Sequence, residues 1–571
     1  MLSAIRSMPA LSWVSQQKVH ILRWRASLGN GRQLDRTAGP IIQADCPVER
    51  VDRMFTFTFY DLLAKNLADR GAHPLLVDGP RQMTYAEIAA QVDATAAWLS
   101  TVGVRRGDRV AVHLYKSSEE VVALFAAARL GAVFVNINHQ WTLDQLDYVL
   151  RDCAASALFV DQRTARGLTT AQLPDTLKHI VVKGTCPAHP KMIGWDAVPR
   201  DQIPPPAAGI DIDLAAILYT SGSTGQPKGV MLSNLNLVQG ARSVACYLEN
   251  TPHDRVLSLL PFSFDYGLSQ LTTMCLVGGT VVLHPVMMPV EIVKTLVHQQ
   301  ITGLAAVPPA WIPIVRFLAD HPTGLPHLRY VTNSGGKIPG SVLELMPRVF
   351  PGAKIYLMYG LTEAFRSTYL PPELFAQKMG SIGKAIPNVE TYIVDPDIGI
   401  CGPGQQGELV HRGSLISMGY WGKPESTAEK IKPCPQLRPL IGDEKVLYSG
   451  DLIRIDADGY YWFVGRRDAM IKSSGFRISP TEVEDAVFRS GLVADVVAFG
   501  VADDMLGQAV EIAVTTTDSA AVDEPALLQH CRRHMPSYML PRKIHHWPGE
   551  FPRTGSGKID RPQVVRTYAT Q

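Results

Sequence analysis

Cysteine, an excess of either charge and long apolar runs are all scarce in this 571-residue chain. Each scarcity excludes a class of protein. The eight cysteines are Cys46, Cys153, Cys186, Cys246, Cys275, Cys401, Cys434 and Cys531. None falls in a CxxC or CxxxxC pair. That sets aside a zinc cluster and a disulfide scaffold and fits a reducing cytoplasm. Lys and Arg total 55 against 53 Asp and Glu, a net of +2. No charge excess therefore points to nucleic acid or an anionic membrane. No apolar run reaches the roughly 18 residues of a membrane span. The nearest approach, Val121 to Ile137, is broken by Arg129 and Gly131 and reads as a buried helix followed by a buried strand. A fixed-period repeat and a secretory signal are also missing.

What is present is globular. Hydrophobic residues make up 46% and charged residues 19%, and the length exceeds one ordinary core, so a large domain plus at least one more is expected. Arg6, Lys18, Arg23, Arg25 and Arg32 all precede the first acid, Asp35. Residues 1–54 read as a poorly packed basic extension, with a transit peptide or an early start codon as the other readings. From Arg109 the pattern alternates. Val110 to Leu114 is a strand, Glu119 to Leu130 a helix, Ala132 to Ile137 a strand, Trp141 to Arg151 a helix, and Ala157 to Val160 a strand. The alternation recurs over 256–307 and 330–356. It predicts an α/β fold with parallel sheet covered by helices. After a strand at Tyr460 to Val464 the pattern changes. Ser479-Pro480-Thr481-Glu482 reads as a capping box with proline at the first helical position. Strands near 493–501, 508–516 and 543–547 and a helix at 524–535 complete a small α+β domain. The boundary falls within Gly465 to Asp468, giving domains at 55–466 and 467–571.

The sharpest chemical signal is Thr220-Ser221-Gly222-Ser223-Thr224-Gly225-Gln226-Pro227-Lys228-Gly229, entered from the β run Ala216 to Tyr219. Glycines let backbone N–H groups approach an anion, hydroxyls add donors, and the lysine adds charge. The result is a polyphosphate cradle. It is not a Walker A loop, because Gly229 follows the lysine where Ser or Thr is required, and it is not GxGxxG.

This loop resembles the phosphate loop of the AMP-forming acyl-CoA synthetases, adenylation domains and luciferases. Four further segments resemble that superfamily's motifs in its order. They are Tyr359-Gly360-Leu361-Thr362-Glu363, Tyr448-Ser449-Gly450-Asp451, Gly465 to Lys472, and Pro552-Arg553-Thr554-Gly555-Ser556-Gly557-Lys558. The resemblance covers about residues 55 to 565. KAIPNVE, ELVHRGSLISMGYW and the segment from Gly465 to Val493 look more specifically like bacterial exosortase-associated acyl-CoA ligases. It implies a large N-terminal domain of doubly wound, mostly parallel sheets with a small β-barrel, and a small mobile C-terminal domain.

The implied chemistry has two steps: a carboxylate displaces pyrophosphate from ATP, and a thiol then displaces AMP from the acyl-adenylate. The implied cofactors are ATP, Mg²⁺ and CoA, or a carrier protein's phosphopantetheine. By the same resemblance Thr220, Ser221, Gly222, Ser223, Thr224, Gly225 and Lys228 hold the β- and γ-phosphates. Thr362 donates to the α-phosphate, Glu363 ligates Mg²⁺, and Lys558 bridges the acid and the α-phosphate. Asp451 and Arg466 hold the ribose. Tyr359, followed by Gly360, and Ser334-Gly335-Gly336 wall the adenine. Asp468 is the hinge that exchanges Lys558 for the pantetheine loop of Lys472, Ser474 and Gly475. Ala469 stands where the family often has a second aspartate.

Pro261 to Gly267 reads PFSFDYG, where many acyl-CoA synthetases have PFFHxYG, so Phe264 replaces the histidine and Asp265 follows it. Asp265 is either the partner of a substrate ammonium, as in amino-acid adenylation domains, or a helix-start aspartate bonded to backbone N–H groups. Phe264, Asp265, Ser269, Asn333 and Ala305 are the pocket candidates. The leading function is an acyl-CoA ligase acting on a small-molecule acid in the cytoplasm. The alternative is a stand-alone adenylation enzyme loading a carrier protein. An oxidoreductase of the luciferase type shares every motif, and a binding protein with a dead site is opposed by the intact Thr362, Glu363, Asp451, Arg466 and Lys558.

Overall fold

The computed structural model describes residues 55–220, 227–467, 469–473, 476–503, 506–516, 522–554 and 557–569. Among them the strands form four sheets. A seven-stranded sheet runs in the order 192–194, 179–183, 157–161, 109–113, 133–136, 214–220, 228–233, parallel except for its last pair. A nine-stranded sheet has a parallel centre of six strands, 354–359, 330–333, 303–306, 255–258, 280–283 and 74–78, with antiparallel strands at both ends. The expected alternation is present, with boundaries shifted by a residue or two: the strand at Val110 is Arg109–His113 and the helix at Glu119 is Ser118–Arg129.

Apolar side chains explain the layering. One core joins Val110, Val112 and Phe134 of the first sheet to Val256, Val281 and Tyr356 of the second, through Phe125, Leu237 and Leu268 of intervening helices. The helix Ser118–Arg129 is buried along almost its whole length, so it carries apolar residues on every side rather than a stripe. Separate cores built on Trp311 and on Leu146 cover the outer faces of the two sheets. Four of the described helices start with capping boxes, Thr58–Asp61, Thr84–Glu87, Thr142–Gln145 and Ser233–Asn236, each satisfying two end donors reciprocally.

A six-stranded antiparallel sheet over 389–466 stands where the small barrel is expected; it is a half-barrel. The last sheet, five-stranded, gathers strands 471–473, 476–478, 495–503, 507–515 and 543–546. The first two form a hairpin not read from the sequence, and the helix Arg561–Ala569 was not read from it either. The capping box expected at Ser479 does not form. Pro480 does open a helix, Pro480–Phe488, but the Ser479 hydroxyl donates to the Val464 carbonyl instead of capping. Among the described residues no helix is long and apolar enough to cross a membrane.

Lys116 brings a charge into the middle layer. Lys116 donates to the carbonyl of Ser258 at 2.9 Å, to its hydroxyl at 2.8 Å, and to the Leu260 carbonyl. Burial draws its ammonium down and draws the neighbouring Glu120 carboxyl up. A buried cation this well partnered fixes the chain that leads into Pro261 to Asp265.

Two buried histidines give the fold a pH dependence. Burial pushes His411 down to about 3, and burial with help from His139 pushes His113 down to about 4. Unfolded histidines titrate near 6.5. Between these values the unfolded chain binds protons that the folded chain refuses, so stability falls as pH drops below about 6.5. Each site is expected to cost about 2 kcal/mol at a pH of about 5. Urea midpoints should fall between neutral and mildly acid buffer, and the fall should be shallower in His411→Leu. The same slope in both proteins would remove His411 from the account.

Candidate active site

The site lies beyond the C-terminal ends of the parallel strands, where open α/β sheets leave a crevice for ligands. Strands 214–220 and 228–233 pair so that Thr220 faces Lys228, and the Thr220 hydroxyl donates to the Lys228 carbonyl at 3.5 Å. Residues 221–226, which hold Ser221, Gly222, Ser223, Thr224 and Gly225, lie outside the described residues. Lys228 donates to the Ser426 hydroxyl at 3.3 Å and lies 5.5 Å from the centre of the Tyr420 ring. The Tyr420 hydroxyl in turn donates to Glu363 Oε1 at 2.6 Å. Tyr420 therefore joins the phosphate-loop lysine to the carboxylate expected to ligate metal, a link with no local signature in the sequence.

Thr362 and Glu363 sit in a single 3-10 turn after the strand Lys354–Tyr359 of the nine-stranded sheet. The turn ends sharply. Phe365 has φ +54°, a left-handed value that costs a bulky residue roughly 1–3 kcal/mol. Its ring is fully buried against Gly240, where any Cβ would lie 2.3 Å from the ring. A glycine on the helix Asn234–Tyr247 thus makes room for the ring that holds the strained turn. Tyr359 is half-buried and its hydroxyl donates to Asp451; its ring packs 6.3 Å from Phe463. Gly360 lies against the backbone of Arg366, with its would-be Cβ 3.3 Å from the Arg366 Cα.

Asp451 faces Arg466 across the antiparallel strands 445–455 and 461–466, with Oδ1 3.1 Å from Nε. The carboxylate is buried and the guanidinium half-exposed, so the arginine can turn toward a ligand. Ser334, Gly335 and Gly336 follow the strand Tyr330–Asn333. Gly335 has φ +79°, and a Cβ there would meet the side chain of Lys558 at 3.0 Å. Lys558 comes from the far end of the chain and lies 5.5 Å from the centre of the Phe264 ring. Burial lowers its ammonium from the usual lysine range; Asp265, Asp451 and Glu363 oppose that shift and Arg466 adds to it. Three carboxylates and two cations therefore converge at one point from four separate stretches of chain.

Among the described residues, polar ties between the C-terminal domain and the rest include the Ser479 hydroxyl donating to the Val464 carbonyl. Lys337 donates to Asp485, and Arg467 donates to Glu408 at 2.8 Å. Lys472 is exposed on the strand Ile471–Ser473, its amide donating to Gln508 at 2.7 Å, and no described contact joins it to the cluster around Lys558. Asp468, Ser474, Gly475 and Gly555 lie outside the described residues.

Asp265 opens a helix as expected, but its carboxylate is held by side chains and not by backbone N–H groups. It is the first residue of the helix Asp265–Val277, and its Oδ2 accepts from Arg366 Nη1 at 2.9 Å, with side-chain exposures of 5% and 2%. Its Oδ1 is 3.5 Å from the Thr362 hydroxyl. A buried carboxylate needs a partner, and the chain supplies one a hundred residues away. The only local signal for Arg366 is one charge in the run AFRSTYL. Beside the pair is a small cavity of about 30 Å³, lined among others by Ser269, Ala305, Tyr266, Thr332 and Gln270. Asn333 and Phe264 do not line it. The Asn333 amide turns to the Gly336 carbonyl at 3.0 Å.

The residues present fit a nucleotide and Mg²⁺. One carboxylate at Glu363, linked through Tyr420 to Lys228, is what Mg²⁺ uses when substrate phosphates supply its remaining ligands. Accordingly, no group of three metal-binding side chains is found among the described residues.

Comparison with known proteins agrees with this geometry. The family model described as AMP-binding enzyme matches residues 63–421, and that described as AMP-binding enzyme C-terminal domain matches residues 482–558. The chain is 31% identical to an indoleacetate–CoA ligase of Aromatoleum aromaticum, over 86% of this chain and 94% of that one. It is 30% identical to a feruloyl-CoA synthase of an Amycolatopsis species, over 86% and 95% of the two chains. The crystal structure of the anthranilate CoA ligase AuaEII in complex with anthranoyl-AMP superposes with a TM-score of 0.80 at 26% identity, covering 90% of this chain and 97% of that one.

Proposed function

The chain belongs to the AMP-binding enzymes, and on that premise we propose that the side chains converging on Lys558 carry out its first half-reaction. The protein is an AMP-forming acyl-CoA ligase that uses ATP, Mg²⁺ and CoA. In the first step a carboxylate oxygen bonds to the α-phosphorus of ATP and pyrophosphate leaves. In the second the CoA sulfur bonds to the acyl carbon, AMP leaves, and the thiol proton goes to solvent or buffer.

The first step brings two anions together, so cations and fixed donors must offset their repulsion. Lys558 is placed to do this between the acid and the α-phosphate. Thr362 donates to the same phosphate, and Thr220, residues 221–225 and Lys228 hold the β- and γ-phosphates. Asp451 and Arg466 take the ribose, with Tyr359 holding Asp451 in place, and Tyr359 and Ser334 to Gly336 wall the adenine. Glu363, held by Tyr420, is the Mg²⁺ ligand; the ion neutralises phosphate charge when bound. The single observation that carries this reading is the position of Lys558 against Gly335, amid Asp265, Asp451, Glu363 and Arg466.

The second step is proposed to use another pose, in which residues 467–571 turn about Asp468 to replace Lys558 with the Lys472 to Gly475 loop. The ties such a turn would break include Lys337 to Asp485 and Ser479 to the Val464 carbonyl. A carrier protein as acceptor loses its support, because the aspartate that would have received an amino group is ion-paired to Arg366. The seven described cysteines are free thiols, which supports a reducing cytoplasm as the location. AMP release measured over fatty, aryl, oxygenated and amino acids should require ATP, an acid and CoA together. Release driven by an amino acid and indifferent to CoA would overturn the reading.

A further inference from the structure

The cavity beside the Asp265–Arg366 pair has a chemical demand that the ligase reading does not use. Arg366 is 98% buried on its side chain and lines the cavity. Its Nη1 is fully engaged, donating to Asp265 at 2.9 Å and to the Phe365 carbonyl at 2.7 Å. Its Nε and Nη2 have no partner among the described residues. Those two atoms form one edge of the planar guanidinium, the edge that presents two parallel N–H bonds to an oxygen acceptor. A buried, unpartnered donor pair of a cation is costly unless something that binds there satisfies it. Gln270, 8% exposed, also lines the cavity with an unpartnered Oε1. The hydroxyls of Tyr266 and Thr332, 2.5 Å apart, add a further polar wall. A pocket made for a plain hydrocarbon chain would have none of these.

We propose that Arg366 is the specificity-determining residue of the acid pocket, its Nε–Nη2 edge receiving an oxygen carried by the acyl group, so that the enzyme takes short oxygenated acids in preference to hydrocarbon acids. The spacing sets the acid's length. Asp265 reaches Thr362 with one oxygen and Arg366 with the other, so the width of one carboxylate separates the reacting end from the guanidinium. The acceptor oxygen therefore sits only a few bonds from the reacting carboxyl. The cavity is small, about 30 Å³, which leaves no room for a long hydrocarbon chain beside the guanidinium. Arg366 is already neutralised by Asp265, so a keto or hydroxyl oxygen leaves the buried site uncharged, whereas a second carboxylate adds one negative charge.

This inference rests on the ligase reading, and the test separates the two. AMP release with ATP and CoA is measured for valerate, levulinate, hydroxyvalerate and glutarate, together with palmitate, cinnamate and norvaline. The oxygenated five-carbon acids are expected to exceed valerate in kcat/KM by about a hundredfold or more, as for other sites built to satisfy a polar group. Levulinate or hydroxyvalerate ahead would identify a neutral oxygen, and glutarate ahead a second carboxylate; either supports the proposal. Valerate equal to all three, or palmitate, cinnamate or norvaline ahead of them, overturns the proposal and leaves the enzyme a ligase. No AMP from any acid overturns the ligase reading itself. In the paired substitution Asp265→Asn with Arg366→Gln, which removes both charges together, the preference for the oxygenated acid over valerate should collapse. A preference unchanged in that variant would place the specificity elsewhere.

Discussion

Replacing Lys558 by alanine is expected to slow formation of the acyl-adenylate by about a hundred- to a thousandfold, the usual effect of removing one preorganised donor from a charge-developing site. The lysine reaches the site from the C-terminal sheet and lies against Gly335, among the carboxylates of Asp265, Asp451 and Glu363. Its partly desolvated ammonium is therefore aimed where negative charge gathers as the carboxylate and the α-phosphate meet. The prediction has a second half. Transfer of an acyl group from supplied acyl-adenylate to CoA should be nearly unchanged in Lys558→Ala, because in the proposed second pose the lysine has left. Pyrophosphate release reads the first step, and CoA thioester formed from synthetic adenylate reads the second. Equal losses in both would mean that one pose serves both steps, and the turn about Asp468 would be abandoned.

The second large effect is on stability. Arg366→Ala leaves Asp265 as a buried carboxylate without its cation, and breaking a buried pair in this way costs about 3–5 kcal/mol. The cost is the stranded charge more than the lost attraction. Asp265→Asn with Arg366→Gln removes both charges and retains hydrogen-bonding groups, so it should cost much less. Urea unfolding of the two variants decides the matter. If Arg366→Ala is as stable as the double variant, the Asp265–Arg366 contact is not a desolvated ion pair. The neighbouring strain sharpens the expectation. Arg366 follows Phe365, whose left-handed backbone is held by packing on Gly240 and by the Arg366 bond to its carbonyl, so losing the arginine also loosens the strained turn.

Much of the fold was legible in the sequence because it is written locally. Strand and helix alternation from Arg109 onward, proline at the start of the helix Pro480–Phe488, and the five motifs all depend on neighbours within a few residues. What escaped depends on distance or competition. Ser479 has the residue type and spacing of a capping box, yet the Val464 carbonyl on a preceding strand outcompetes the helix end for its hydroxyl. The partner of Asp265 is Arg366, and nothing in either local pattern tells that the two meet. Tyr420, which holds Glu363, and Lys116, which holds the Ser258 and Leu260 carbonyls, were missed for the same reason. The motif residues themselves were found by resemblance, and their roles in turnover are what the Lys558 experiment addresses.

The walls of the small cavity all come from the stretch between Val244 and Arg366, whereas Lys228, Asp451, Arg466 and Lys558 lie outside it. The proposed adenine wall Ser334 to Gly336 and the motif Tyr359 to Glu363 fall inside that same stretch, so choice of acid and handling of nucleotide interleave along the chain. A recombinant in which that stretch is exchanged with a relative's would carry the donor's appetite together with part of its nucleotide site. The tightest seam is the turn Thr362 to Arg366, where the residue proposed to face the α-phosphate stands four positions before the one proposed to face the acid. A graft that cuts inside that turn would part the two proposed tasks within five residues of backbone.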